Sequence, residues 1–210
     1  MNDNFSFLAT LKSDQELQNC IDNREKYMPE TVEAAVKELQ SRGVILTEDE
    51  LTVIAEDVQA RRDQLNSGAN NYGFFSRNDK IYQVEDPEAP LLYSKRAILV
   101  FSILFSVVFG SVMLAINVGK VQSATKAIMV VLYGLVFTII LAVVAQNLNS
   151  NTGLAVVFGC LGALSMEYLF WRPYIGNTTQ YRVKPIWIPL VIGLAIAIPL
   201  IVLIIYAGTL

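Results

Sequence analysis

The sequence predicts an all-α fold, a polytopic membrane protein with four transmembrane helices preceded by a small soluble helical arm, and three observations predict it. The mean hydropathy of the 210 residues is +0.43, with 53% apolar and 17% charged residues, too apolar for a water-soluble domain of ordinary composition. Charge divides by position: residues 1–90 hold nine Lys+Arg against eighteen Asp+Glu, and residues 91–210 hold seven against one. Four apolar stretches lie in the second part, at 97–116, 127–145, 154–170 and 186–206, and a hydrocarbon core of roughly 30 Å asks for about 20 apolar residues per helix. An acidic part and an apolar, basic part do not share one hydrophobic core. The division is therefore an acidic arm over 1–66, a linker over 67–92 and a membrane domain over 93–210.

In the arm, Ser13-Asp14-Gln15-Glu16 is a capping box, whose serine oxygen accepts from an early amide while the glutamate reaches back to the cap amide. It predicts a helix to about Arg24. Pro29 suits a first helical turn, and Val32, Ala35, Val36 and Leu39 follow at spacings of three and four until Gly43 supplies a stop. Thr47-Glu48-Asp49-Glu50 repeats the box, and Leu51, Ile54, Ala55, Val58 and Leu65 then make one apolar stripe that ends near Asn66. Three short helices with such small apolar faces bury little surface. The arm is expected to lean on something else, and Leu51, Ile54 and Val58 are the candidate face for a partner's groove. Residues 66–92 mix Gly, Asn and Pro with isolated aromatics and no sustained period, which reads as a linker. Phe74, Phe75 and Tyr82 are its candidates for touching the headgroup zone.

In the membrane domain, loops of about ten residues or fewer after the first two spans predict an up-down four-helix bundle. Trp171, Tyr174 and Tyr181 follow the third span as an interfacial aromatic belt. Ser102, Ser106 and Gly110, four apart on the first span, are candidates for close helix packing. Pro189 and Pro199 predict bends in the fourth. Glu167 is the one acid after residue 90 and the candidate intramembrane polar site. Its place three residues before the end of the third span, near Arg172, predicts an interfacial carboxylate with a basic neighbour. Ser102, Ser106, Ser111, Tyr133, Thr138 and Ser165 can satisfy themselves on their own helix carbonyls.

Several chemistries are excluded. The chain has no histidine, which removes the commonest general base and zinc ligand. Cys20 in the polar arm and Cys160 in an apolar run are expected as free thiols. A Gly-rich phosphate loop, a paired intramembrane acid and a nucleophile with its base are all missing from the sequence, so no catalytic residue, cofactor or metal is expected. The acidic arm does not suit phosphate neutralisation, which excludes nucleic acid. The first seventeen residues have no basic start, apolar core or cleavage site, so the arm is expected to be retained in the cytosol of a plasma-membrane (inner-membrane) protein. Arg77, Lys80, Lys95 and Arg96 on the arm side nearly balance Lys120, Lys126, Arg172, Arg182 and Lys184 on the other, so loop charge alone does not orient four spans.

Three stretches carry a resemblance. One is Pro90-Leu91-Leu92-Tyr93-Ser94-Lys95-Arg96-Ala97-Ile98 with Phe101-Ser102, Phe105-Ser106, Phe109-Gly110 and Ala115-Ile116-Asn117. The second is Glu16-Leu17, Ile21, Asn23-Arg24, Tyr27, Glu30, Val32-Glu33-Ala34-Ala35 and Glu38-Leu39, and the third is Tyr181-Arg182-Val183-Lys184-Pro185-Ile186-Trp187 before the last span. Over about half the chain these resemble small bacterial integral membrane proteins in which a helical arm precedes a four-span domain. The resemblance implies that architecture and no activity or site residue. The expected function is a non-enzymatic adaptor or accessory subunit, whose partners are the lipid bilayer and either another protein or a second copy. A small homo-oligomeric transporter or channel using Glu167 is the alternative.

Overall fold

The computed structural model describes residues 2–68, 77–147, 152–176 and 179–208, and these are mostly helical. The chain divides into two compact units, Met1–Pro90 with Thr178–Arg182, and Leu91–Asn177 with Val183–Leu210. Phe74 and Phe75 lie outside the described residues.

Unit 1 contains four helices among its described residues, one more than the sequence reading expected: α1 Asn2–Thr10, α2 Asp14–Asp22, α3 Pro29–Ser41 and α4 Glu48–Gly68. α1 follows from Phe5, Leu8 and Ala9 at helical spacing, and Ala9 enters the core. Both capping boxes form. Ser13 Oγ accepts from Glu16 N at 3.3 Å while Ser13 N donates to Glu16 Oε2 at 2.8 Å, and Thr47 and Glu50 exchange the same bonds at 3.3 and 2.9 Å. Gly43 ends α3 with φ 87°, where a side chain would be strained. The core joins Leu17, Cys20 and Ile21 of α2, Val32, Ala35 and Leu39 of α3, and Ile54 and Val58 of α4.

Residues read as linker complete this unit. A tight helical stretch, Arg77–Tyr82, ends with Tyr82 buried and its hydroxyl donating to Leu65 O at 2.8 Å. Beyond it the chain runs extended beside the returning segment: Tyr181 N donates to Tyr82 O at 2.8 Å, Val84 N to Tyr181 O at 3.1 Å and Arg182 N to Pro90 O at 2.9 Å. Asp86 is wholly buried, accepting from Met28 N at 3.0 Å, Thr31 Oγ1 at 2.5 Å and Glu88 N at 3.0 Å. Its carboxylate sits at the N-terminus of α3, where free amides and the helix dipole favour a negative charge. A segment whose polar composition reads as a linker is thus fixed by one buried acid.

Unit 2 holds α5 Lys95–Leu104, α6 Val107–Val121, α7 Ala124–Asn147, α8 Thr152–Met166 and α9 Trp187–Gly208. The stretch 97–116 is not one helix, which corrects the expected first span. It breaks at Phe105 and Ser106, and Ser106, with extended backbone, accepts from Phe109 N at 3.2 Å to start α6. α6 then folds back along α5. Asn117, near the end of α6, accepts from Tyr93 N at 2.9 Å and donates to Tyr93 O at 2.8 Å, just ahead of α5. At mid-hairpin a Cβ on Gly110 would lie 1.7 Å from Ser102 Oγ, so the two backbones meet where both residues are small. Phe101, Phe105 and Phe109 stack at the turn with ring centroids 5.2–5.6 Å apart.

α7 packs on α6 through a second close approach, where a Cβ on Gly134 would lie 2.1 Å from Ser111 Oγ. The Tyr133 hydroxyl meets Ser165 Oγ at 2.5 Å, tying α7 to α8. α8 runs without a break into a wide-turn π-helical stretch, Glu167–Ile175, in which Gly176 N bonds back five residues to Trp171 O at 3.0 Å. Pro173 explains the widening, because it has no amide to donate and its ring presses on the carbonyl four residues earlier. Among the described residues one helix, Ala124–Val144, is long and apolar enough to cross a membrane, and Val107–Val121 and Trp187–Leu203 are shorter apolar helices.

Candidate functional site

Among the described residues, charged side chains of unit 2 gather at the end at which α5 begins, α6 ends and the π stretch arrives. Lys95, in the first turn of α5, is 4% exposed, and Glu167 is 3% exposed. Their Nζ and Oε1 stand 3.6 Å apart, and Lys95 Nζ also lies 5.3 Å from the Trp171 ring centroid. Widening the helix after Met166 keeps Glu167, Trp171 and Ile175 on one buried face. Lys95, some seventy residues earlier in the chain, is thus a basic neighbour of Glu167 that local spacing did not suggest. Burial of this depth is tolerated because the charges are paired.

The other cations of the unit gather at the same end. Lys120 Nζ donates to Leu91 O at 3.0 Å, and Lys126 Nζ to Gln122 Oε1 at 2.6 Å while lying 5.1 Å from the Tyr174 ring centroid. Gln122 Nε2 donates to Tyr174 O at 2.8 Å, and Lys184 Nζ lies 4.6 Å from the Tyr93 ring centroid. Arg172 stacks on Tyr168 at 4.2 Å. Lys120, Lys126 and Lys184 therefore meet carbonyls, an amide and ring faces rather than carboxylates. The reason is compositional, since unit 2 has six Lys+Arg and the single acid Glu167.

Between α6 and α9 lies a cavity of about 650 Å³, lined by Tyr93 at one end and by Phe109, Met113, Ile116, Ile192 and Ala197 along its length. α9 touches the hairpin at its tip, where a Cβ on Gly193 would stand 2.7 Å from the Phe105 ring.

In unit 1 the residues expected to meet a partner turn inward. Ile54 is 8% and Val58 6% exposed within the arm's own core, and Leu51 is half-buried. This corrects the candidate partner face: the stripe is consumed by α2 and α3. Apolar surface is instead presented by Ile45, 93% exposed, and by Val53, 51% exposed. Val53 and the half-buried Leu46 line a shallow groove with Gln18, Asp22, Arg24, Asp49 and Glu50, in which acids outnumber the one cation. Sequence periodicity missed Ile45 because it stands in the turn between α3 and α4. The visible signal is the run Val44-Ile45-Leu46 directly after a turn glycine.

Ser102, Ser106 and Gly110 do not share a helix face: Ser102 and Gly110 face each other across the hairpin, and Ser106 caps its second arm. Ser102 Oγ and Ser111 Oγ bond their own helix carbonyls, each at 2.7 Å. Cys20 and Cys160 are free, and Cys20 is buried, which pushes its thiol pKa up. Among the described residues no group of three or more Cys, Asp or Glu is placed to hold a metal.

A scan against protein-family models, a search of curated proteins and a search of solved structures each found no match for this chain.

Proposed function

We propose that this is a non-enzymatic integral membrane protein in which unit 2 is the anchor and unit 1 is a cytosolic module that docks a partner protein. The observation that carries the anchor reading is the segregation of charge in unit 2. Its cations lie at one end, while α7 and α9 expose Ile, Leu and Val along their lengths, as helices facing lipid do. In this reading α7, α8 with its π extension, and α9 cross the bilayer. α5 and α6 span about 15 and 22 Å at 1.5 Å per residue, short of a hydrocarbon core of roughly 30 Å, and form a hairpin that enters and leaves by the same face. Three crossings and a re-entrant hairpin thus replace the four spans read from hydropathy. The cationic end faces the cytosol by the positive-inside rule. The near-balance of loop charges disappears because Lys120 and Lys126 return to the side of Lys95.

The docking role rests on the exposed Ile45 and Val53, with the half-buried Leu46, beside Asp49 and Glu50. That surface suits a partner segment with an apolar edge and basic flanks. A transporter would need a polar path, and Glu167 is committed to Lys95 at the charged end. Co-purification in mild detergent tests the role. Ile45→Asp with Val53→Asp is expected to release the partner while the chain stays in the membrane fraction and α4 keeps its hydrogen-exchange protection. A partner retained at wild-type yield by that variant would refute docking through this face.

A further inference from the structure

We infer that the cavity between α6 and α9 binds one acyl chain of an anionic phospholipid, with the lipid phosphate held by Lys120 and Lys184. The inference rests on the membrane reading of unit 2 and adds a ligand class and a site to it. The cavity, about 650 Å³, falls within the roughly 300–1,000 Å³ of small-ligand sites. Its lining is apolar from Ile188 to Ile201 along α9, about 20 Å at 1.5 Å per residue, close to the reach of one extended fatty-acyl chain. Phe105 of the hairpin turn packs against Gly193 midway along that stretch and forms part of the wall.

Polarity along the cavity is graded in the sense a lipid requires. At one end stands Tyr93, with Lys184 Nζ 4.6 Å from its ring centroid. Lys120 follows Ile116, a lining residue, by one helical turn on the same face of α6. Neither lysine pairs with a carboxylate among the described residues, and the unit's one acid is buried against Lys95. A negative headgroup supplies the counter-charge that the chain does not. A zwitterionic headgroup carries its own cation beside the phosphate, which the two ammonium groups repel, so the site discriminates by net charge rather than by tail.

Native mass spectrometry of the full chain in detergent tests this, with phosphatidylglycerol and phosphatidylcholine of identical acyl chains added in equal amounts. The wild type is expected to retain phosphatidylglycerol preferentially. Lys120→Gln with Lys184→Gln is expected to reduce that preference about 30-fold, the affinity that two interfacial lysines contribute. Ala197→Phe, which fills the cavity, is expected to lose both lipids at an unchanged thermal unfolding midpoint, and Ile196→Trp is the second filler should the first unfold. Equal retention of the two lipids overturns the proposal. So does a preference that survives the double lysine change, lipid retained by both filled variants, or a lipid-free dimer with α9 of a second copy in the cavity. Alkaline extraction separates this failure from that of the membrane reading: a chain released into the supernatant refutes the anchor, whereas one that stays in the membrane without lipid preference refutes the lipid site alone.

Discussion

Two buried carboxylates do opposite work in this chain. Asp86 is held by two amides and a hydroxyl at the start of α3, and it ties an extended segment to the arm's core. Glu167 is held by a charge, Lys95, at 3.6 Å. An ion pair with both side chains about 95% buried is not strongly stabilising as a pair, but losing one member strands the other. Glu167→Gln or Lys95→Met alone is therefore expected to lower stability by about 3 kcal/mol, and Lys95→Met with Glu167→Met to recover most of the loss. Thermal unfolding of the full chain in detergent reads the cycle, and additive losses would show the pair to be uncoupled. The role of Asp86 was not legible in the sequence, and for Glu167 only the presence of a basic neighbour was. Asp86 finds Thr31 and Glu167 finds Lys95 across more than fifty residues, and no local spacing encodes such a meeting. Ile54 was legible as an apolar helix position, yet only the packing decides that it enters the arm's own core rather than a partner's groove, and Cys20, read as part of the polar arm, lies buried in the same core.

At the level of elements, what is locally encoded was readable. The two capping boxes form as Ser13-x-x-Glu16 and Thr47-x-x-Glu50 require, and backbone and hydroxyl hydrogen bonds hold both glutamates below their ordinary pKa of 4.5. A carboxylate whose pKa is depressed by folding contributes stability that is present above its unfolded pKa and is lost as the pH falls through the folded one. The protection of amides in the first turns of α2 and α4 against hydrogen exchange is thus expected to fall below about pH 4.5, and Glu16→Gln to remove that pH dependence in α2 alone. The α5–α6 hairpin was not readable, because hydropathy counts apolar residues and is indifferent to whether a run continues or turns back. Ser106 fits a small-residue ladder and a helix cap equally well. The hairpin nevertheless predicts a specific coupling. Gly110→Ala drives a methyl into Ser102 Oγ and is expected to cost about 2 kcal/mol. Ser102→Ala in the same chain should restore part of it, the remainder reflecting the Cβ of residue 102 at 2.9 Å and the Ile98 carbonyl at 3.0 Å from the new carbon. A purely additive double variant would place the two residues apart.

For the whole molecule, counting crossings turns the fold into a parity. Four spans return the end of the chain to the arm's side, whereas three crossings with a re-entrant hairpin leave it on the opposite side. A reporter fused after Leu210 that is active only outside the cytosol is expected to be active, and one that fluoresces only in the cytosol to be dark. The reverse pattern would restore the four-span arrangement. The arm's side is best read from a cysteine placed at Ile45 with Cys20→Ser, since the native thiol is buried and raised in pKa. An impermeant maleimide is expected to leave it unlabelled in intact cells and to label it after lysis.

The return of residues 179–182 to unit 1 has a consequence for biosynthesis. Tyr82, Val84 and Pro90 obtain their backbone partners from Tyr181 and Arg182, so the ribosome must translate α5 to α8 before the arm can close. Until then the nascent arm carries an open strand edge, available to chaperones and proteases. A chain in which α5 to α8 are not yet translated keeps that edge open, and completion of the arm thereby reports that those helices have been made.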